Sequence, residues 1–244
     1  MIKVIGHRGA SENAPENTLS SISEAWSQSA DGVEVDVRLT KDLKLVCIHD
    51  KNTLRTSGKD ALVKNTTLED LRKMDFGAWR GKEWINEPIP VLEEVIELIP
   101  KDKKLFIEVK NGKRAINPLV DVLQVYKEQQ KNISIISFNE EVLSGVKELL
   151  PDITVNLLVS FEEEVEKQKE RLLSKIRRSN IDGLGLQSHM QLTKGFLRAL
   201  LKENKAIHVW TVDQPEEAKR YQEIGLASVT TNRPGQIRNF LLAS

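Results

Sequence analysis

Short runs in which apolar and polar residues alternate are interleaved along the chain with longer stretches whose apolar residues recur at helical spacing. The first pattern predicts strands near 3–7, 33–38, 105–109, 133–137, 154–159, 182–187, 206–212 and 227–231. The second predicts helices near 17–29, 92–99, 116–130, 139–150, 161–179, 193–204 and 215–224. Strands separated by helices run parallel, because each crossover returns the chain to the same end of the sheet. Eight such units in 244 residues suit an α/β fold of the closed TIM (β/α)8 barrel type, whose usual length is about 250 residues. An open doubly wound sheet is the alternative, but no G-x-G-x-x-G loop follows the first strand, where that fold commonly has one.

Local residues set several boundaries. Asn17, just after Pro15, is the expected N-cap of the first helix, and Pro100 ends the helix that begins near Leu92. Asn139 is placed to cap 140–150, and Pro151 stops it. Pro215 followed by Glu216 and Glu217 makes a favourable helix start.

The stretch 39–50 departs from strict strand–helix alternation. A turn at 41–43 predicts a hairpin returning through Val46, Cys47 and Ile48. Antiparallel pairing about residue 42 sets position 36 opposite position 48, which carries His49 back to the level of Glu34 and Asp36. Residues 51–100 then form a long excursion, with a short helix from Leu68 to Met74 and an aromatic, turn-rich piece from Phe76 to Gly81. A segment of about 50 residues makes a marginal core alone. The expectation is therefore one domain, 1–244, with 51–100 as a small cap inserted after the second barrel strand. Trp79 and Trp84 are expected to pack inward.

Charge and composition narrow the partners. Lys+Arg and Asp+Glu are both 36, so no global basic field draws in nucleic acid or a membrane surface. No apolar run approaches the roughly 20 residues that span a bilayer, and the N-terminus lacks the apolar core of a signal peptide. The expectation is a cytoplasmic protein with no stable membrane association. Cys47 is the single cysteine, which excludes an intramolecular disulfide and a cysteine-based zinc cage; between Val46 and Ile48 it reads as a buried thiol. The run Glu162-Glu163-Glu164 reads as a solvated helix face.

The candidate chemistry lies where a barrel places its active site, at the C-terminal ends of the strands. Strand one ends in His7 and Arg8. The next strand carries Glu34 and Asp36 on one face, since side chains two apart point the same way. The third barrel strand carries Glu108 and Lys110, again on one face. Phe138, Gln187, Trp210 and Thr211 stand at later strand ends. Two carboxylates on a valine-rich strand repel and are costly to bury, and a divalent cation is the common reason to keep them together. Glu34, Asp36 and Glu108 offer hard oxygen ligands, suited to Mg²⁺ or Ca²⁺. Arg8 and Lys110 add charge for phosphate oxygens. His7 and His49 would move protons. Each motif alone is weak, since an acidic pair on a strand is often a surface feature; their strength is that they fall at three successive strand ends. His189 and His208 are read as structural or superficial.

These residues resemble the glycerophosphodiester phosphodiesterase family over nearly the whole chain. The resemblance rests on His7-Arg8-Gly9, Pro15-Glu16-Asn17-Thr18, Gly32-Val33-Glu34-Val35-Asp36-Val37, Leu39-Thr40-Lys41-Asp42 and Val46-Cys47-Ile48-His49-Asp50. Leu92-Glu93-Glu94, Ile107-Glu108-Val109-Lys110, Ser137-Phe138 and Val209-Trp210-Thr211-Val212 extend it. It implies a TIM barrel that uses a divalent cation to hydrolyse small-molecule glycerophosphodiesters to an alcohol and sn-glycerol 3-phosphate. By position it implies His7 and His49 as the acid–base pair and Glu34, Asp36 and Glu108 as metal ligands. Arg8 and Lys110 would bind phosphate, Glu16 and Asn17 would hold the first loop of the site, and Phe138, Gln187 and Trp210 would face the substrate. Three departures stand out, of which one is Gln187, at a variable position where it would tune substrate choice. Leu43 replaces a frequent glycine in the hairpin turn, and Asn232 replaces a frequent aspartate after the last strand, at a place expected to be remote from the metal ligands. The rival readings are a lysophospholipase D or other phospholipid-cleaving barrel, and a non-catalytic barrel that only binds metal or phosphate.

Overall fold

The computed structural model describes residues 1–161 and 164–243. In chain order its elements are β1 (Lys3–His7), α1 (Leu19–Ser27), β2 (Gly32–Leu39), β3 (Leu45–Cys47), α2 (Leu54–Ser57), α3 (Leu68–Leu71), α4 (Leu92–Glu97), β4 (Lys104–Val109), α5 (Ile116–Val125) and β5 (Ile133–Ser137). There follow α6 (Glu140–Leu149), β6 (Thr154–Val159), α7 (Lys169–Arg178), β7 (Gly183–Gln187), α8 (Lys194–Leu201), β8 (Ala206–Trp210), α9 (Pro215–Ile224), β9 (Ser228–Thr231) and α10 (Pro234–Ala243). Strands β1, β2 and β4 to β9 pair in parallel, and β1 pairs with both β2 and β9, which closes the barrel. Strand β3 lies outside it, antiparallel on β2, with Val37 opposite Cys47. Ile48 N–H donates to the Asp36 carbonyl at 2.9 Å, the register that the hairpin pattern predicts.

The alternation within each strand sorts its residues into two layers. Val33, Val35 and Val37 of β2 join the main core with residues of the surrounding helices, such as Ile22 and Leu92. Ile5, Phe106, Ile136 and Leu158 form a separate cluster, with Trp210 packed on it. Glu34 and Asp36, offset by one position from the valines, take the opposite face of β2. A third cluster joins Val46 and Ile48 to Val63, Leu71, Phe76 and Ile89, which ties the stretch between β3 and α4 to the hairpin.

Several boundaries differ from the pattern. Thr18, not Asn17, caps α1: its side chain accepts from Ser21 N–H, and the Ser21 hydroxyl accepts from Thr18 N–H. A cap of this kind is worth about 1 kcal/mol. Asn139 caps α6 as expected. The helix expected over 161–179 is a 3-10 turn, Val165–Gln168, leading into α7; Glu162 and Glu163 of the acidic run lie outside the described residues. Helix α5 stops at Val125, short of 130. The final helix α10 carries no strong apolar periodicity and was not expected. Trp79 is 40% exposed rather than packed inward; it keeps its indole N–H satisfied by donating to the Phe76 carbonyl at 2.9 Å. Among the described residues no helix is long and apolar enough to cross a membrane.

Candidate active site

Strand register brings the site together. His7 stands beside Glu34 across β1 and β2, and Asp36 stands beside Glu108 across β2 and β4. One ligand atom from each of Glu34, Asp36 and Glu108 lies within 4.8 Å of the others, and all three residues are buried. Burial and mutual repulsion push the Glu34 carboxyl well above its ordinary range and lift Glu108 to about 7. Burial acts on Asp36 in the same direction, but Arg8 and Lys110 overcome it and hold this group well below its ordinary value. Arg8 Nε lies 3.0 Å from Asp36 Oδ2, and Lys110 Nζ lies 3.0 Å from Asp36 Oδ1 and 2.5 Å from Glu108 Oε1. Glu34 Oε1 is buried with no hydrogen-bond partner. An orphaned carboxylate oxygen facing two further carboxylates is the donor set a hard divalent cation fits.

The turn after β1 is shaped for this task. Arg8 and Gly9 both have left-handed backbones, at φ 55° and 84°. A Cβ on Gly9 would sit 2.4 Å from Ser21 Oγ, so glycine is required where the turn meets α1. The turn aims the Arg8 N–H at Glu34 Oε2, 3.1 Å away, and the Arg8 side chain at Glu16, 2.9 Å away. Asn17 has a left-handed backbone, at φ 58°. Its Nδ2 donates to Asp36 Oδ2 at 2.9 Å, and Asp36 N–H donates to its Oδ1 at 3.0 Å. Asn17 is buried and braces Asp36 through both amide groups.

The two histidines line one cavity of about 200 Å³, together with Arg8, Glu34, Glu108 and Lys110. Its other wall is apolar and includes Phe138 and Trp210, whose rings meet edge to face at 5.7 Å. His7 Nδ1 is 2.7 Å from Asn232 Oδ1. Asn232 Nδ2 donates to Asp213 Oδ2 at 2.7 Å, which fixes the amide with its oxygen toward His7. His7 Nδ1 is thereby the protonated nitrogen, and Nε2, 4.0 Å from Glu34 Oε2, is the unprotonated one. Burial, with Arg8 close by, pushes the His7 ring below its ordinary value. His49 Nδ1 instead meets a carboxylate, Asp50 Oδ1, at 2.8 Å. Arg55 lies 2.7 Å from the other oxygen of Asp50 and makes two contacts with Glu16, at 2.7 and 2.9 Å. The Arg55 bond is the foremost cause holding Asp50 down at about 2.

A family model for the glycerophosphoryl diester phosphodiesterase family matches residues 7–236. The chain belongs to that family. A glycerophosphodiester phosphodiesterase of Caldanaerobacter subterraneus subsp. tengcongensis is 33% identical over 98% of this chain and 97% of its own length. One of Bacillus altitudinis is 31% identical over 96% of each. The structure of an Oleispira antarctica phosphodiesterase in complex with the product sn-glycerol-3-phosphate is 27% identical, covers 98% of this chain and 96% of its own, and superposes with a TM-score of 0.82.

Within this family frame, three residues stand elsewhere than expected. Asn232, expected only to be remote from the metal ligands, bonds directly to His7. Gln187 does not line the cavity; its Oε1 accepts from Phe161 N–H at 3.2 Å. His208, read as structural or superficial, lines the apolar part of the cavity, bonded through Nδ1 to Ser228 Oγ at 2.7 Å and packed edge-on to Phe106. Burial drives it down to about 4, so it is a neutral wall at ordinary pH. Arg55, in the stretch between β3 and α4, was not singled out, because the chemistry of an arginine on a four-residue helix has no local signal. Leu43, in place of glycine, does take a left-handed backbone, at φ 61°, and the register of His49 is unchanged.

Proposed function

We propose that this chain is a divalent-metal-dependent hydrolase that cleaves small glycerophosphodiesters to sn-glycerol 3-phosphate and an alcohol. The observation that carries this reading is a cluster of three buried carboxylates, two of which, Glu34 and Glu108, line the same cavity as two differently partnered histidines. Glu34, Asp36 and Glu108 would hold Mg²⁺ or Ca²⁺, which supplies Lewis-acid polarisation of the phosphoryl oxygen when bound. Arg8 and Lys110 would hold the phosphate oxygens and stabilise the charge that develops on them. Glu16 and Asn17 keep Arg8 and Asp36 in place. Phe138 and Trp210 would pack on the glycerol or the leaving group.

The partners of the histidines divide the proton work. His7, neutral and with Nε2 unprotonated, would accept a proton from the nucleophile, either water or the glycerol 2-hydroxyl. His49 has the Asp50 carboxylate on Nδ1, the arrangement that orients an imidazole, and it would donate to the leaving alcohol. The presence of both favours catalysis over mere phosphate binding, which needs neither an acid nor a base.

The test is turnover of glycerophosphocholine and of lysophosphatidylcholine with added Mg²⁺ or Ca²⁺, with and without chelator. The expected result is release of sn-glycerol 3-phosphate from the first, little from the second, and loss of activity on chelation. Faster cleavage of the lysolipid supports the lysophospholipase D reading; no turnover of either refutes hydrolysis.

A further inference from the structure

A second cavity, of about 320 Å³, adjoins the catalytic one and shares Lys110 with it. Its charged lining is Arg38, Lys51, Lys64 and Lys110, and no carboxylate faces it. In a chain with equal numbers of acids and bases, such a one-signed wall is a local arrangement. Lys110 is paired with Asp36 and Glu108. Among the described residues, Arg38, Lys51 and Lys64 have no carboxylate within ion-pair distance.

Lys51 and Lys64 are exposed, and the backbone holds the segments that carry them beside Arg38. Arg38 belongs to β2 and is half-buried, and its Nε donates to the His49 carbonyl at 2.8 Å. Its Nη groups have no protein acceptor among the described residues. Val63 N–H donates to the Lys51 carbonyl at 3.1 Å, and Asn52 bridges to Leu62, which keeps the segments carrying Lys51 and Lys64 side by side. Asn111 accepts from Leu39 N–H through Oδ1 and adds an amide donor to the lining. Unpaired cations held around a cavity repel one another, and an anion with several oxygens relieves that repulsion.

We propose that this cavity is an anion subsite for a second phosphate of the substrate, carried on the leaving alcohol. The inference rests on the proposed function above: with the scissile phosphate at the carboxylates, Lys110 forms the wall between the two sites. Arg38 is anchored on the backbone of His49, the proposed donor to the leaving alcohol, so the subsite lies on the leaving-group side. Guanidinium and ammonium groups together suit a phosphate, which offers an oxygen to each. The preferred substrates are then glycerophosphodiesters whose alcohol bears a further phosphate.

The test uses glycerol 1,3-bisphosphate and sn-glycerol 3-phosphate as probes, titrated calorimetrically in the presence of Mg²⁺ into the wild type, a Lys51→Met/Lys64→Met variant and a reference Lys101→Met/Lys127→Met variant. The bisphosphate should bind the wild type about 10-fold more tightly than the monophosphate, the scale of one charge-assisted hydrogen bond. That advantage should vanish in Lys51→Met/Lys64→Met and persist in the reference. Equal affinity for the two probes in the wild type, or an advantage untouched by the double substitution, overturns the subsite. A kinetic comparison of glycerophosphoglycerol with and without a terminal phosphate separates the two proposals. Turnover of both with equal kcat/KM refutes the subsite alone. A retained binding advantage with no turnover of either upholds the subsite and refutes the diesterase reading.

Discussion

His7 and His49 lie on opposite kinds of structure. His7 ends a barrel strand, is mostly buried and is held by a neutral amide that a half-buried carboxylate, Asp213, orients. His49 follows a hairpin strand outside the barrel, is about one-third exposed as a side chain (35%), and is held by a carboxylate that Arg55 clamps. The difference teaches that two residues of one type at one cavity need not share one role. The barrel supplies a ring with a fixed tautomer and a low tendency to charge, while the hairpin supplies a ring backed by a negative charge. Glu34, Asp36 and Glu108, the proposed metal ligands, belong wholly to the barrel strands.

Removal of either ring should give the largest effect. His7→Ala and His49→Ala should each lose about 10²–10⁴-fold in kcat with metal binding retained; wild-type turnover by both variants breaks the assignment. Removal of the partners should be milder and unequal in its pH signature. Asn232→Leu should lose about 10–100-fold, the range for a partner that orients a functional imidazole, and the His7 ring nitrogens should lose their single-tautomer ¹⁵N signature. Asp50→Asn should leave that signature intact. An identical response of His7 in both variants contradicts the separation of the two environments.

Metal affinity should fall as pH falls. Glu34 and Glu108 have raised values, Glu108 near 7, so below that pH both hold protons that a cation must displace. Calorimetry in buffers of different ionisation enthalpy at pH 6.5 should show proton release on Mg²⁺ or Ca²⁺ binding; uptake, or none, contradicts this. The same groups bind more protons folded than unfolded between their two values, so the metal-free protein should lose stability as pH rises through that window. The smallest effect belongs to the hairpin that carries His49. Leu43→Gly should stabilise the fold by about 1 kcal/mol, because a left-handed backbone costs a branched side chain roughly that much, with kcat unchanged; a lower Tm contradicts it.

Much of this was legible because the relevant chemistry is periodic. Alternation along β2 puts Glu34 and Asp36 on one face, and hairpin arithmetic about residue 42 places position 48 opposite Asp36, as the structure has it. Asn232 and Arg55 were opaque for the opposite reason. Asn232 reaches His7 across 225 positions, and Arg55 reaches Glu16 across 39, through side chains whose direction no local pattern encodes. Asn17 looked like a cap because its residue type suits one. Its left-handed backbone, which asparagine tolerates, passes that role to Thr18 and frees the amide to brace Asp36. Gln187 stands at a strand end, and its Oε1 accepts from the Phe161 backbone, a contact that no local pattern encodes.

The most direct test of unequal histidines compares an alkyl glycerophosphodiester with one whose leaving group is p-nitrophenol, which departs without a proton. The His49→Ala defect should shrink at least about 10-fold on the activated substrate, since general-acid help is then not needed, while the His7→Ala defect should remain. Equal defects on both substrates, or rescue of His7→Ala instead, would contradict the account.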